Sequence, residues 1–287
     1  MIPSGLLPPR PRDMHKGKAG RLFLMAGSEG LSGAAVLCAL GALRTGAGLV
    51  TVGIPKRLHD PLAKKLTEAM LKVLPETEKG TLSLQALPEI LKAVEQSDVV
   101  GIGPGLSQYP QTQDLIRQVV SRTLRPMVID ADGLNAFAAH AALLGKHRAA
   151  TVITPHPGEM ARLTGLAVEE IQKSRETVAR QFSRNCRVVV VLKGEHTVVS
   201  NIDGECYTND TGNPGMATGG AGDVLTGVIA ALIGQGLSIF DSARLGVYLH
   251  GLAGDMVASK QGEIGLIASD LIDTIPLAIR QYQQAAV

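Results

Sequence analysis

The sequence has no tryptophan, and its 287 residues include only four phenylalanines and four tyrosines. A core built from it must be aliphatic, and recognition of bases by aromatic stacking has few side chains to draw on. Charge of one sign is also scarce. The 28 Lys and Arg face 26 Asp and Glu, a formal net charge of +2. That balance supplies no broad field for nucleic acid or an anionic membrane. No apolar run reaches the roughly 18 residues that a spanning helix needs. The three cysteines, Cys38, Cys186 and Cys206, stand in neither a CxxC nor a Cys/His spacing, so no disulfide framework or zinc site is expected. Residues 1–20 are Pro-rich and basic but lack the apolar segment of a secretory signal, and read as an extended arm. The expected compartment is the cytoplasm.

Hydrophobic residues make up 45% of the chain and charged residues 19%, enough apolar surface for a large folded core. Short apolar runs at 21–26, 49–54, 98–102, 126–130, 150–154 and 187–192 read as buried strands. Helical spacing appears at 32–43, 84–94, 111–120 and 168–182, and apolar helices fill the chain from Asp223 onward. Segments 197–201 and 205–208 read as a hairpin. Strands alternating with helices predict an α/β fold, a central mainly parallel sheet with helices on both faces. The absence of any linker or repeat predicts one domain over 21–287. In such sheets ligands lie beyond the carboxyl ends of the strands. Those ends carry Gly27-Ser28, Gly103-Pro104-Gly105, Asp130-Ala131-Asp132, Thr154 to Glu159, and Lys193-Gly194.

The densest signal is TGNPGMATGGAGD, ending at Asp223 and running into an apolar helix. Five glycines in the preceding positions let the backbone turn freely and approach a ligand closely. The loop amides and the helix's positive end suit phosphate or a developing phosphoryl charge. Neither GxxxxGK[ST] nor a strand-following GxGxxG is present. Asp223 is then either a base accepting a proton from an attacking hydroxyl or merely a helix cap. In KGEHT, Lys193 and Thr197 offer a cation and a hydroxyl to a nucleotide, or form an ordinary turn. In TPHPGE, His156 and Glu159 project toward a polar ligand or a metal-bound water, or Glu159 stabilises a helix start and His156 is exposed. Asp130, Asp132 and Asn135 contact substrate or organise magnesium waters, with Asp132 an alternative N-cap. Gly33, Ala34 and Ala35 bring a helix start close to a ligand or simply pack on the sheet. His15, His59, His140, His147 and His250 form no ligand spacing.

Together HKGKAG (15–20), AGSEGLSGAA (26–35), GIGPGL (101–106), DADGLN (130–135), TPHPGE, KGEHT and NPGMATGGAGD resemble the ADP/ATP-dependent NAD(P)H-hydrate dehydratases, a branch of the ribokinase-like superfamily. The resemblance implies a ribokinase-like fold and ADP-dependent dehydration of the S-form of hydrated NADH and NADPH (NADHX, NADPHX), giving AMP and phosphate. It implies that ADP is held by Lys193, Gly194, Glu195, His196 and Thr197, and by Asn213, Pro214, Gly215, Met216, Ala217, Thr218, Gly219, Gly220, Ala221 and Gly222. The hydrate would meet Ala35 or its neighbour, Gly105, His156, Pro157, Gly158, Glu159, Met160, Ala161, Arg162 and the catalytic Asp223. It further implies Mg²⁺ as cofactor, a homotetramer, and cooperation with a separate epimerase. Because the first strand begins after only 20 residues, the stand-alone dehydratase is the expectation. Two positions depart from the pattern: Ala221 where relatives often have Ser or Thr, and Ser107 where Gly is common. The rivals are an ordinary ribokinase-like kinase for a vitamin or sugar alcohol and a nucleotide-sensing protein without turnover.

Overall fold

The computed structural model describes residues 5–7, 10–138 and 140–285. In chain order the strands and helices are β1 (Arg21–Met25), α1 (Ser32–Thr45), β2 (Leu49–Pro55), α2 (His59–Ala63), β3 (Met70–Leu74), α3 (Leu87–Glu95) and β4 (Val99–Ile102). There follow α4 (Pro110–Arg122), β5 (Met127–Ile129), α5 (Asp132–Asn135), α6 (Ala141–Leu144), β6 (Thr151–Ile153), α7 (Pro157–Thr164), α8 (Val168–Lys173) and α9 (Arg175–Cys186). The chain closes with β7 (Val189–Leu192), β8 (Val198–Ser200), β9 (Cys206–Thr208), α10 (Ala221–Gly234), α11 (Ile239–Gln261) and α12 (Ala268–Gln284). The strands form one sheet in the order β3-β2-β1-β4-β5-β6-β7-β8-β9. It is parallel from β3 through β7, and the β8–β9 hairpin adds the antiparallel edge.

The apolar runs become strands because the sheet is covered on both faces. Along β1, Phe23 and Met25 enter the core beneath α3, α4, α7 and α9, whereas Leu22 and Leu24 face α1, α10 and α11. Both sets are excluded from water, so no polar alternation is needed. Helix α10 is buried almost without interruption from Val224 to Ile233. It lies between the sheet, α1, α11 and α12, where an exposed polar stripe has no place.

Four local expectations change. The helix expected over 168–182 breaks at Ser174, whose φ of −137° ends α8 and starts α9. Residues 84–86 form a 3₁₀ turn capped by Ser83, and α3 starts only afterwards, with a proline in its first turn. Strand β3 has no sequence signal because it sits at the sheet edge with Met70 and Val73 exposed. Described parts of the arm form turns, not an extended strand: Met14 N–H bonds Pro11 O and Lys18 N–H bonds His15 O. Leu7 is buried against the α10–α12 cluster. Residues 1–4 and 8–9 of the arm lie outside the described residues.

Candidate active site

Because β1, β4, β5, β6 and β7 are neighbours and parallel, their carboxyl ends align. The polar turns at Gly27, Gly103, Asp130, Thr154 and Lys193 therefore share one edge, and α10 begins beside them. At its start Gly220 is the N-cap, with φ +90° and no side chain to cap with. Among the described residues no acceptor takes the N–H of Thr218, Gly219, Gly220, Gly222 or Asp223. Five free donors at the positive end of a 14-residue helix form a ready anion seat.

Asp223 stands in the first turn of that helix and caps nothing. Burial, then the nearby Asp130, push its carboxyl up to about 7, against the pull of Lys193. An ordinary aspartate near ~3.9 is a weak base. This one is poised to exchange a proton near neutral pH.

Asp130 has a different role. It is 1% exposed, and both oxygens are engaged, Oδ1 by Lys193 Nζ at 2.6 Å and Oδ2 by Thr226 Oγ1 at 2.8 Å. Lys193 is thus no free cation at a turn. Its ammonium also lies 3.9 Å from Glu159 Oε2. Burial disfavours that charge, but Asp130 and then Glu159 outweigh it and raise the lysine above its usual range. The Thr197 hydroxyl donates to Gly194 O at 2.9 Å, while Glu195 and His196 point outward. Arg175, which carries no sequence signal, donates to the carbonyls of Leu192 and Lys193 and holds this strand end.

The TPHPGE turn closes on itself. His156 is the N-cap of α7: its Nδ1 accepts from Gly158 N–H at 3.0 Å and Glu159 N–H at 3.4 Å. Glu159 Oε2 accepts the His156 N–H in return at 2.8 Å. This is a capping box with histidine in the serine position. Burial lowers the His156 pKa, followed by Lys193 and Arg162, so Nδ1 stays an acceptor. Burial raises Glu159, opposed by Lys193. Glu159 therefore faces inward, contrary to its projection toward a ligand, whereas His156 keeps half of its side chain exposed.

Two of the expected contact residues bury their side chains. Ala35 is fully buried against the position of Gly27, so its side chain cannot meet a ligand; Ala34 faces Gly105 instead. Met160 is likewise fully buried beneath the sheet, on the inward face of α7. Gly105 is placed at the edge by the Ser28 hydroxyl, which donates to its carbonyl at 2.8 Å. Ser107 adopts φ +75°, a left-handed conformation that glycine takes without strain. Its N–H is taken by Asp132 Oδ2 at 2.8 Å, and Asn135 occupies Oδ1, so Asp132 is a loop clamp, not an N-cap. Arg162 Nε bonds Asn135 Oδ1 at 2.9 Å.

The carboxylates do not compose a protein-built magnesium cage. Asp130, Asp132 and Glu159 have committed their oxygens, and among the described residues no group of three metal-ligating side chains exists.

A doubly covered parallel sheet with an uncapped glycine-loop helix at its carboxyl edge defines a ribokinase-like α/β protein. The profile of the NAD(P)H-hydrate dehydratase family matches residues 22–277, and the chain belongs to that family. It is 32% identical over 277 residues to the ADP-dependent (S)-NAD(P)H-hydrate dehydratase of Bacillus subtilis, covering 96% of this chain and 95% of the relative. A bifunctional NAD(P)H-hydrate repair enzyme of Moorella thermoacetica is 47% identical over 278 residues, 97% of this chain but 52% of that protein. The chain thus spans about half the length of the bifunctional relatives it matches. The crystal structure of the B. subtilis ADP/ATP-dependent dehydratase co-crystallised with ATP/Mg²⁺ aligns with a TM-score of 0.83, at 31% identity, over 96% of this chain and 94% of that one.

Proposed function

We propose that this chain dehydrates the S-form of NADHX and NADPHX, using ADP and releasing AMP and phosphate. The observation that carries the reading is the uncapped mouth of α10, five free amides beside a carboxylate raised to about 7. Hydroxide on the reduced nicotinamide ring is a poor leaving group. The terminal phosphoryl of ADP passes to that oxygen, the bond to the AMP oxygen breaks, and Asp223 takes the hydroxyl proton. The ring nitrogen's lone pair then expels phosphate, and loss of a proton from the neighbouring ring carbon restores the dihydropyridine. Phosphoryl transfer depends mainly on alignment and charge stabilisation, which preset amides supply without reorganising.

In this reading ADP lies along Lys193–Thr197 and 213–222, and the hydrate against Gly105, the exposed His156 and Arg162, and Asp223. Magnesium would enter with the nucleotide's phosphates, since the described residues offer no cage of their own. A cytoplasmic homotetramer served by an epimerase, separate or fused, completes the proposal. No helix among the described residues is long and apolar enough to cross a membrane.

The test is to incubate purified protein with NADHX, Mg²⁺ and either ADP or ATP. Recovery of dihydronicotinamide absorbance, with AMP formed from ADP, is expected. A stable phosphorylated alcohol would identify a kinase instead, and nucleotide binding without any reaction a sensor.

A further inference from the structure

The glycine loop is held from behind by a part of α11 that none of the site motifs includes. Residues 250–255 read HGLAGD, and four of them meet the loop. A Cβ on Gly251 would overlap Thr211, and one on Gly254 would overlap the Met216 side chain, so the loop lies directly on the helix backbone. Asp255 supplies the polar contacts. Its Oδ2 accepts the Gly212 N–H at 2.9 Å, and its Oδ1 accepts from Asn213 Nδ2 at 3.0 Å. The other end of the Asn213 amide accepts the Gly215 N–H at 3.1 Å. At the far end of the loop, His250 Nε2 lies 2.9 Å from Ala221 O. Burial pushes this histidine down to about 4, so it is neutral and donates the Nε2 proton to that carbonyl.

We propose that Asp255 is the positioning residue of the nucleotide loop: it fixes the turn at 212–215 so that the unpaired amides further along converge on one anion. The inference rests on ADP being the occupant. A segment this rich in glycine samples many conformations, and any it must abandon on binding subtract from affinity. Anchoring both ends of the loop beforehand removes that loss. Opposite the amide of Asn213 the anchor is a carboxylate, because two donors converge on it and an amide presents only one acceptor oxygen.

Asp255→Ala, Asp255→Asn and the exchanged pair Asn213→Asp with Asp255→Asn test this in the full chain. The readouts are ADP affinity by calorimetry, KM for ADP and for NADHX, and thermal unfolding. Asp255→Ala should weaken ADP binding and raise its KM by ~tenfold or more, with the KM for NADHX within ~twofold of wild type. Asp255→Asn should fall between, since its amide N–H₂ opposes that of Asn213. Exchanging the two side chains reverses donor and acceptor yet keeps all three hydrogen bonds, and should recover most of the lost affinity. Asp255→Ala protein that unfolds earlier but binds ADP like wild type, or an exchanged pair no better than Asp255→Asn, would overturn the proposal. Failure of the functional reading looks different: wild-type protein that binds ADP but leaves NADHX hydrated leaves the affinity comparison intact. Wild-type protein that binds no adenine nucleotide removes both.

Discussion

Helices α7 and α10 begin on the same edge of the sheet, yet their mouths are built in opposite ways. At α7 the first residue is a proline without an N–H, the next two amides bond the His156 ring, and Met160 N–H bonds His156 O. The Glu159 carboxylate returns to the chain that caps it. At α10 the cap is a glycine, five amides have no acceptor among the described residues, and the carboxylate caps nothing. One helix mouth has spent its amides on its own cap, and the other leaves them available to an anion. The same contrast separates Asp130, whose oxygens are both engaged, from Asp223, whose charge burial disfavours.

The sharpest way to break this contrast is Asp223→Asn. Turnover should fall about 10²–10⁴-fold while ADP affinity changes little, read by absorbance recovery beside calorimetry. In wild type, kcat should climb as pH rises through about 7, because the base must be ionised, and the variant should lose that limb. The stability sign is opposite. A carboxyl raised on folding favours the fold below its unfolded pKa and loses that contribution as pH rises through its folded value. Asp223→Asn should therefore be more stable than wild type at pH 8, by about 1–4 kcal/mol, with the gain gone below about pH 4. Denaturant titrations at both pH values check it.

Lys193 lies between the two mouths, bonded to Asp130 and close to Glu159. Lys193→Met leaves both carboxylates without their cation and should cost about 3–5 kcal/mol, measured by urea unfolding at pH 7. A smaller probe acts on the open mouth alone. A Cβ at Gly219 meets nothing within 4 Å. Gly219→Ala should leave stability within about 0.5 kcal/mol while weakening ADP binding ~tenfold, because the methyl enters the space left for the ligand. The mildest effect belongs to the closed mouth. His156→Ala removes a cap and should cost about 1 kcal/mol, seen as a Tm lower by about 2–4 °C.

Much of this edge is legible in the chain. The strand runs before Gly27, Gly103, Asp130, Thr154 and Lys193 all became neighbouring strands, because continuous apolar segments bounded by turn residues have few other solutions. TGNPGMATGGAGD announced a glycine-rich turn leading into a helix for the same local reason. The break at Ser174 was not legible, since one non-helical residue leaves the 3.6-residue period almost intact. Neither was β3, whose edge position decides its exposure. Asp255, Thr226 and Arg175 carried no local signal either, because their partners lie 42, 96 and 17 residues away.

Local chemistry alone therefore settled the α/β class, the places where the chain turns, and the glycine loop leading into α10. Those depend on backbone freedom and apolar spacing within a few residues. Only the tertiary structure decided which carboxylate is bonded and which stays unbonded, that Lys193 turns inward, and that α11 carries the loop. Hydrogen bonds and burial couple residues distant in sequence, and it is the bonding partners each buried carboxylate finds, not residue type, that set Asp223 apart from Asp130.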